Sequence, residues 1–271
     1  MALVRDRLAA LGRQSAEMFR SLDMNRAVQN SEWTVADTAA HLIYALRGFT
    51  DSAAGHYEEW EQWAPQIPKL RTTERVAAMN RVLIPAEPHR SAIQAAQAIS
   101  DGVRRWLDVT ATLAPDQRMP TPWYGETESL SIAEATRLLL GEQVIHGYDV
   151  AKTVGHKWPI TKQDALLICE VGRTMMPKVA DPAVIGTTQA NYMLHLGDGG
   201  KWVVRLANGR VTVEPPAGQK VQCHILADPV GFVLVAYGRV SQWTAISKGQ
   251  LFTFGTKPWM AFKFKSFFSN P

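Results

Sequence analysis

Apolar residues recur every three to four positions over roughly the first 180 residues and every second position thereafter, so helices are expected to give way to strands. An amphipathic stretch runs from Leu3 to Leu22. Thr34, with Asp37 three residues later, is an N-terminal capping pattern, and the helix it opens should extend through Leu42, Leu46 and Phe49 towards Trp60. After the Pro-interrupted segment Pro65 to Pro68, a short helix is expected around Thr73 to Val82 and a long one from about Arg90 to Leu113. Ser131 and Glu134 form a second capping box, and the helix behind it should run to the break at Gly155. Thr161 with Asp164 starts one more, ending near Pro177. Long helices with short connections predict an antiparallel four-helix bundle.

The period changes after Pro177, Pro182 and Gly186. Tyr192 and Leu194, then Trp202 and Val204, alternate with other residues around Gly197-Asp198-Gly199-Gly200, and Asn208-Gly209 marks a tight hairpin into Val211-Thr212-Val213. Val221, Cys223 and Ile225 predict a further strand. Asp228-Pro229 reads as an N-cap with proline at the first helical position, in a helix ending at Gly238. Leu251 to Phe254 should be a last strand and Trp259 to Phe268 a last amphipathic helix. The expected class is α+β multidomain, with a helical bundle over residues 1–182 and a small α+β domain over 183–271.

One helix breaks the polar/apolar rule. With Glu142 at zero on a wheel of about 100° per residue, His146 falls near 40°, Leu139 near 60°, Ile132 and Val150 near 80°, and Asp149 near 340°. Its ordinary polar face, with Glu134, Arg137 and Lys152, lies at roughly 220 to 280°. Three ionisable groups thus share the stripe that should be greasy, where an unpaired charge would cost several kcal/mol. A metal ion is one of few arrangements that offsets such a cost, and a Glu and a His four residues apart can hold one ion together. Asp149, one turn beyond His146, either orients the imidazole from behind or caps the helix against a neighbour.

Two ligands do not hold a catalytic metal, so a third must come from elsewhere in the bundle. His41 lies on the border between the Asp37/Tyr44 and Phe49 sides of its helix, and its position alone does not select it. His56, His89, His156, His195 and His224 sit in polar or strand contexts that suit surface or satisfied core histidines.

Composition narrows the functional classes. The chain has 271 residues, 46% of them hydrophobic, enough to bury a substantial core. No uncharged apolar run approaches the roughly 18 residues of a membrane span, and Arg5, Asp6 and Arg7 interrupt the start of the chain, so no signal peptide is expected and a cytoplasmic location is. Cys169 and Cys223 lack metal-ribbon spacing and read as buried small hydrophobes. The net charge of +4 is uneven: from residue 181 onward nine Lys/Arg face four Asp/Glu, whereas residues 1–180 carry 20 against 21. The basic residues are scattered among strands and turns, which argues against nucleic-acid binding and for anionic ligands or solubility. No phosphate-cradling glycine loop and no serine nucleophile elbow is present.

The segments Trp33-Thr34-Val35-Ala36-Asp37-Thr38-Ala39-Ala40-His41-Leu42 and Gly141-Glu142-Gln143-Val144-Ile145-His146-Gly147-Tyr148-Asp149-Val150 resemble the mycothiol-dependent maleylpyruvate isomerase family of the DinB-like superfamily. The resemblance implies a DinB-like four-helix bundle in which His41, Glu142 and His146 hold a divalent metal, usually zinc. The C-terminal part, from Tyr192 through Trp202, Asn208-Gly209, Asp228-Pro229, Tyr237-Gly238-Arg239 and Gly249-Gln250-Leu251, resembles the sterol-carrier-like domain that accompanies the bundle in many members.

The implied chemistry suits the residues. Two imidazoles and one carboxylate leave coordination positions open, and a thiol bound there ionises because the cation favours the thiolate. Mycothiol would be the nucleophile, adding to, transferring to or isomerising a small electrophilic, possibly anionic, substrate. The family also uses a C-terminal arginine to grip an anionic substrate, and Arg239 matches it; a helix-end arginine pairing with preceding carbonyls is the plainer alternative. A contrasting reading makes the chain a carrier of a lipid or hydrophobic metabolite, with the bundle as scaffold. The donor set also suits nickel, iron or manganese.

Overall fold

Thr34, Ser131 and Thr161 each accept the backbone N–H of the residue three positions on, so three helices begin where their caps place them. A computed structural model describes residues 1–29, 31–61 and 71–269. The chain divides into two compact units, Met1–Ile160 and Thr161–Pro271.

The N-terminal unit is built on four long helices: α1 (Ala2–Phe19), α2 (Val35–Ala53), α5 (Ala92–Val109) and α6 (Ile132–Val154). Helices α1 and α2 each pack against both α5 and α6, closing the bundle. Leu8, Phe19, Leu42, Leu46, Ile99, Trp106, Leu139 and Ile145 fill its centre with almost no exposed surface. At Gly12 a Cβ would lie 2.8 Å from Val103 Cγ2, so α1 and α5 approach at a distance only glycine permits. Helix α4 (Thr72–Ala86) flanks α2. Arg90 ties the two together, donating from Nη1 to Ile84 O at 3.0 Å and from Nη2 to Asp37 Oδ1 at 2.6 Å.

Some expected elements have other limits. The helix opened by Thr34 does not reach Trp60: it stops at Ala53, Gly55 turns the chain at φ +82°, and Trp60 lies on a separate short helix α3 (Glu58–Glu61). The Pro65 to Pro68 segment lies outside the described residues. The Pro-rich loop before α6 contributes a two-stranded antiparallel pair, β1 (Arg118–Pro120) with β2 (Ser129–Ser131), which the sequence pattern does not announce. Helix α6 ends as expected, with Gly155 in the left-handed conformation at φ +77°.

The C-terminal unit holds a five-stranded sheet. Strands β3 (Ala190–His195), β4 (Lys201–Ala207), β5 (Arg210–Glu214), β6 (Cys223–Ala227) and β7 (Leu251–Phe254) lie in the order β5-β4-β3-β6-β7, with β3 and β6 parallel and the other neighbours antiparallel. Asn208 and Gly209, both at positive φ, close the β4–β5 hairpin. Tyr192, Leu194, Trp202, Val204, Cys223 and Ile225 are buried on one face. Helix α7 (Lys162–Val179) packs on β5 and on α9 (Pro229–Ala236).

The position of α7 moves the boundary. The sequence pattern places it in a bundle ending at residue 182, whereas the compact units divide between Ile160 and Thr161. A helix must bury its apolar stripe, but its own sequence does not say against what. Short helices α8 (Pro182–Ile185) and α10 (Gln242–Ser247) complete the unit with α11 (Ala261–Phe264), and the expected helix from Trp259 to Phe268 is broken into α11 and flanking 3-10 turns. Among the described residues, no helix is long and apolar enough to cross a membrane.

Candidate metal centre

Helices α2 and α6 bring His41, Glu142 and His146 together. Glu142 Oε2 lies 3.0 Å from His41 Nε2 and 3.2 Å from His146 Nε2. One donor atom from each of the three lies within 4.8 Å of the other two, and among the described residues this is the only such group of three His, Cys, Asp or Glu. The imidazole centroids are 4.8 Å apart at 69°. The side chains are 13% (His41), 24% (Glu142) and 14% (His146) exposed, so the cluster is shielded but not wholly sealed in the core.

The far side of each ring meets an acceptor. His41 Nδ1 lies 3.2 Å from Asn80 Oδ1 on α4, and His146 Nδ1 lies 3.7 Å from Asp149 Oδ2, within ion-pair range but long for a hydrogen bond. A neutral His41 ring donating from Nδ1 to Asn80 would leave its Nε2 lone pair available to a cation at the point it shares with Glu142. Trp33 covers both rings, with centroid distances of 5.0 Å to His41 and 5.8 Å to His146.

The electrostatics favour an ionised Glu142 and a neutral His146. Burial raises the Glu142 carboxyl, but the hydrogen bonds and positive potential of His146 and His41 outweigh it, leaving the acid well below the usual carboxylate range and ionised. Burial lowers His146 against the opposing pull of Glu142, which favours the neutral, ligating imidazole. The donor set fits a divalent ion: with bonds of about 2.0–2.2 Å, ligand atoms on one cation stand roughly 3 to 3.5 Å apart, as Glu142 does from each histidine.

The remaining candidates are placed as follows. Arg239 belongs to the C-terminal unit, where its Nη1 donates to Tyr237 O at 2.6 Å, a contact of the helix-end kind. Trp123 and Tyr124 are packing residues: Trp123 is 8% exposed and meets Phe49, Trp60 and Tyr124 edge-on, at centroid distances of 5.0 to 6.0 Å. His195 and His224 face each other across 3.0 Å, and His89 pairs with Glu87. Both cysteines are buried, and burial pushes the Cys169 thiol up to about 12, which leaves it inert. Sequence reasoning gave no role to Asn80 or Trp33. Trp33 carried a signal, a large aromatic directly before a helix cap; Asn80 carried none.

The family profile described as "Mycothiol maleylpyruvate isomerase N-terminal domain" matches residues 5–151, which take in α2 and all but the last three residues of α6. Among solved structures, a mycothiol-dependent maleylpyruvate isomerase aligns over 88% of this chain and 90% of its own, at 17% identity and a TM-score of 0.45. A mutant of a mycothiol-dependent maleylpyruvate isomerase aligns over 92% of each chain, at 16% identity and a TM-score of 0.46. No curated protein sequence matches the chain.

Proposed function

The chain belongs to the mycothiol maleylpyruvate isomerase family, whose N-terminal domain it carries over residues 5–151, and on that premise we propose that it is a metal-dependent enzyme using mycothiol on a small electrophilic substrate. The observation that carries the reading is the convergence of His41 Nε2, Glu142 Oε2 and His146 Nε2 at one shielded point. This assembly favours an enzyme over a carrier, because a scaffold has no use for three ionisable groups gathered there.

A divalent cation held at that point, zinc being the metal this donor set suits, supplies positive charge that favours an ionised thiol over a neutral one. Glu142 contributes the anionic ligand and His41 and His146 the neutral ones. Asn80 fixes the ring and tautomer of His41, and Asp149 faces the corresponding nitrogen of His146. Trp33 walls the rings against water on its side, so charges inside the site are screened less.

The ionised sulfur adds to an activated carbon–carbon double bond, whose π pair moves onto the conjugated carbonyl. The bond between the two carbons is then single and rotates; return of the pair expels the same thiolate and restores the double bond in the other configuration. No oxidant or reductant is consumed. Where the substrate carries a leaving group, displacement would leave the thiol on the product, an S-transfer. Arg239 is assigned to the carboxylate of an anionic substrate, as the bidentate geometry of guanidinium allows.

Metal analysis of the purified chain, followed by incubation with mycothiol and maleylpyruvate or other electrophiles under mass spectrometry, tests the reading. About one divalent metal per chain is expected, lost in Glu142→Ala and His146→Ala, with thiol-dependent turnover. Full metal retention in both variants sinks the site, and absence of turnover with any thiol sinks the chemistry. Arg239→Ala should keep its metal and raise KM for carboxylate substrates; unchanged kinetics remove the arginine.

A further inference from the structure

Three large aromatic side chains stand out of the C-terminal unit. Trp243, Trp259 and Phe262 are 57%, 61% and 47% exposed, and a contiguous apolar patch on a surface ordinarily marks something that covers it. They form one row. The Trp243 and Phe262 rings lie against each other with centroids 5.2 Å apart, and Trp259 and Phe262 are three positions apart in the helical run 258–267, which sets them on one side of it. The row is held from beneath. Phe264 and Phe267 anchor the inner side of the run as buried residues, Tyr192 Oη donates to Met260 O at 3.3 Å, and Gln242 Nε2 of α10 donates to Phe262 O at 2.9 Å. Covering the rings therefore costs little ordering of the backbone that carries them.

The segment that supplies the row is basic throughout. Its sequence from 229 to 271 contains Arg239, Lys248, Lys257, Lys263 and Lys265 and no Asp or Glu. Lys248 directly follows α10, which carries Trp243, and Lys257 lies two positions before Trp259. Lys263, four positions after Trp259, shares its side of the helical run. All three lysines are exposed.

We propose that this row docks on the headgroup layer of an anionic lipid bilayer, with Trp243, Trp259 and Phe262 entering the interface and Lys248, Lys257 and Lys263 meeting lipid phosphates. Aromatic rings and lysine stems suit that layer, where one end of a side chain is in apolar surroundings and the other in water. Charge selects the occupant. A second copy docked through the same face would set lysines against lysines, whereas an anionic surface complements each of them, and each lysine near such a surface strengthens binding about fivefold. The contact is peripheral, since among the described residues no helix is long and apolar enough to cross a membrane. The inference does not depend on the thiol chemistry, because no residue of the metal centre belongs to the row.

Co-sedimentation of the full-length chain with vesicles of phosphatidylcholine, alone or mixed with phosphatidylglycerol, tests the surface. The mixed vesicles should bind, the neutral ones at least about tenfold more weakly, and high salt should remove the difference. Trp243→Ser with Phe262→Ser, and separately Lys257→Gln with Lys263→Gln, should each weaken binding to the mixed vesicles by roughly tenfold at unchanged circular dichroism. The lysine variant alters only exposed positions, so it carries the test if the aromatic one does not fold. The proposal is overturned if the mixed vesicles do not bind or if either folded variant binds them as tightly as the parent. It is overturned too if polyglutamate binds as tightly as the mixed vesicles, which would assign the surface to an acidic protein, or if the parent is a dimer that Trp243→Ser with Phe262→Ser splits, which would assign it to a second copy.

Discussion

Asn80 stands behind His41, its Oδ1 3.2 Å from the ring nitrogen opposite the one that faces Glu142. The two residues are 39 positions apart and belong to different helices, so the orientation of a proposed metal ligand depends on the docking of α4 along α2. Removing the acceptor frees the imidazole to rotate and to change tautomer. Asn80→Leu is therefore expected to weaken metal affinity by roughly 10- to 100-fold, read by competition with a chromogenic chelator. Unchanged affinity would mean that the ring is held by packing alone.

Gly147 follows His146 on α6, and a Cβ there would fall 2.1 Å from Trp158 Cζ2. Trp158 is buried and donates from Nε1 to Val144 O at 3.0 Å, so it cannot retreat without losing that bond. Gly147→Ala should destabilise the fold by about 3 kcal/mol, measured by urea denaturation. A loss under about 0.5 kcal/mol would show that the indole repacks freely.

Gln143 is fully buried on α6, and among the described residues neither its Oε1 nor its Nε2 has a hydrogen-bond partner. Methionine has nearly the same length and shape without the polar atoms. Gln143→Met is expected to raise stability by about 1 kcal/mol, visible as a higher denaturant midpoint at constant slope. A lower midpoint would reveal a polar role that the glutamine fulfils.

Lys265 gives a pH dependence of definite sign. Its folded value is pushed from 10.5 down to about 8 by burial. Below pH 8 both folded and unfolded chains hold the proton, and the cost of the buried charge is fully present. Between about 8 and 10.5 the unfolded chain binds the proton more readily, so stability rises with pH; above that window both are neutral and the cost is gone. Lys265→Met should therefore be more stable than the parent at pH 7, with the gap narrowing by pH 10.5 in parallel denaturation curves. A gap independent of pH would assign the difference to packing.

Local chemistry made much of this molecule legible in its sequence. Helix starts at Thr34, Ser131 and Thr161 follow from a side-chain oxygen meeting a backbone N–H three residues on, and the stops at Gly155 and at the Asn208-Gly209 turn follow from residues that tolerate positive φ. Glu142 and His146 were visible as a pair because four residues on a helix are one turn, a distance set by the backbone alone. The greasy stripe on which the wheel places them is in fact shielded rather than sealed, with exposures of 24% and 14%, since a wheel gives a direction and not a depth.

Contacts across helices were decided only by the tertiary structure. His41 lies 101 residues before Glu142, and its ambiguous place on the helix wheel became a position 3.0 Å from that carboxylate once α2 and α6 packed side by side; the family resemblance names it, but the helical pattern does not. The orienting contact of Asn80, the aromatic cover of Trp33 and the transfer of α7 to the C-terminal sheet were invisible for the same reason. Caps, turns and one-turn pairs are fixed by bonds a few residues long, which any sequence displays. Partners brought together by burial of distant apolar faces depend on how whole elements pack, and no local pattern contains that information.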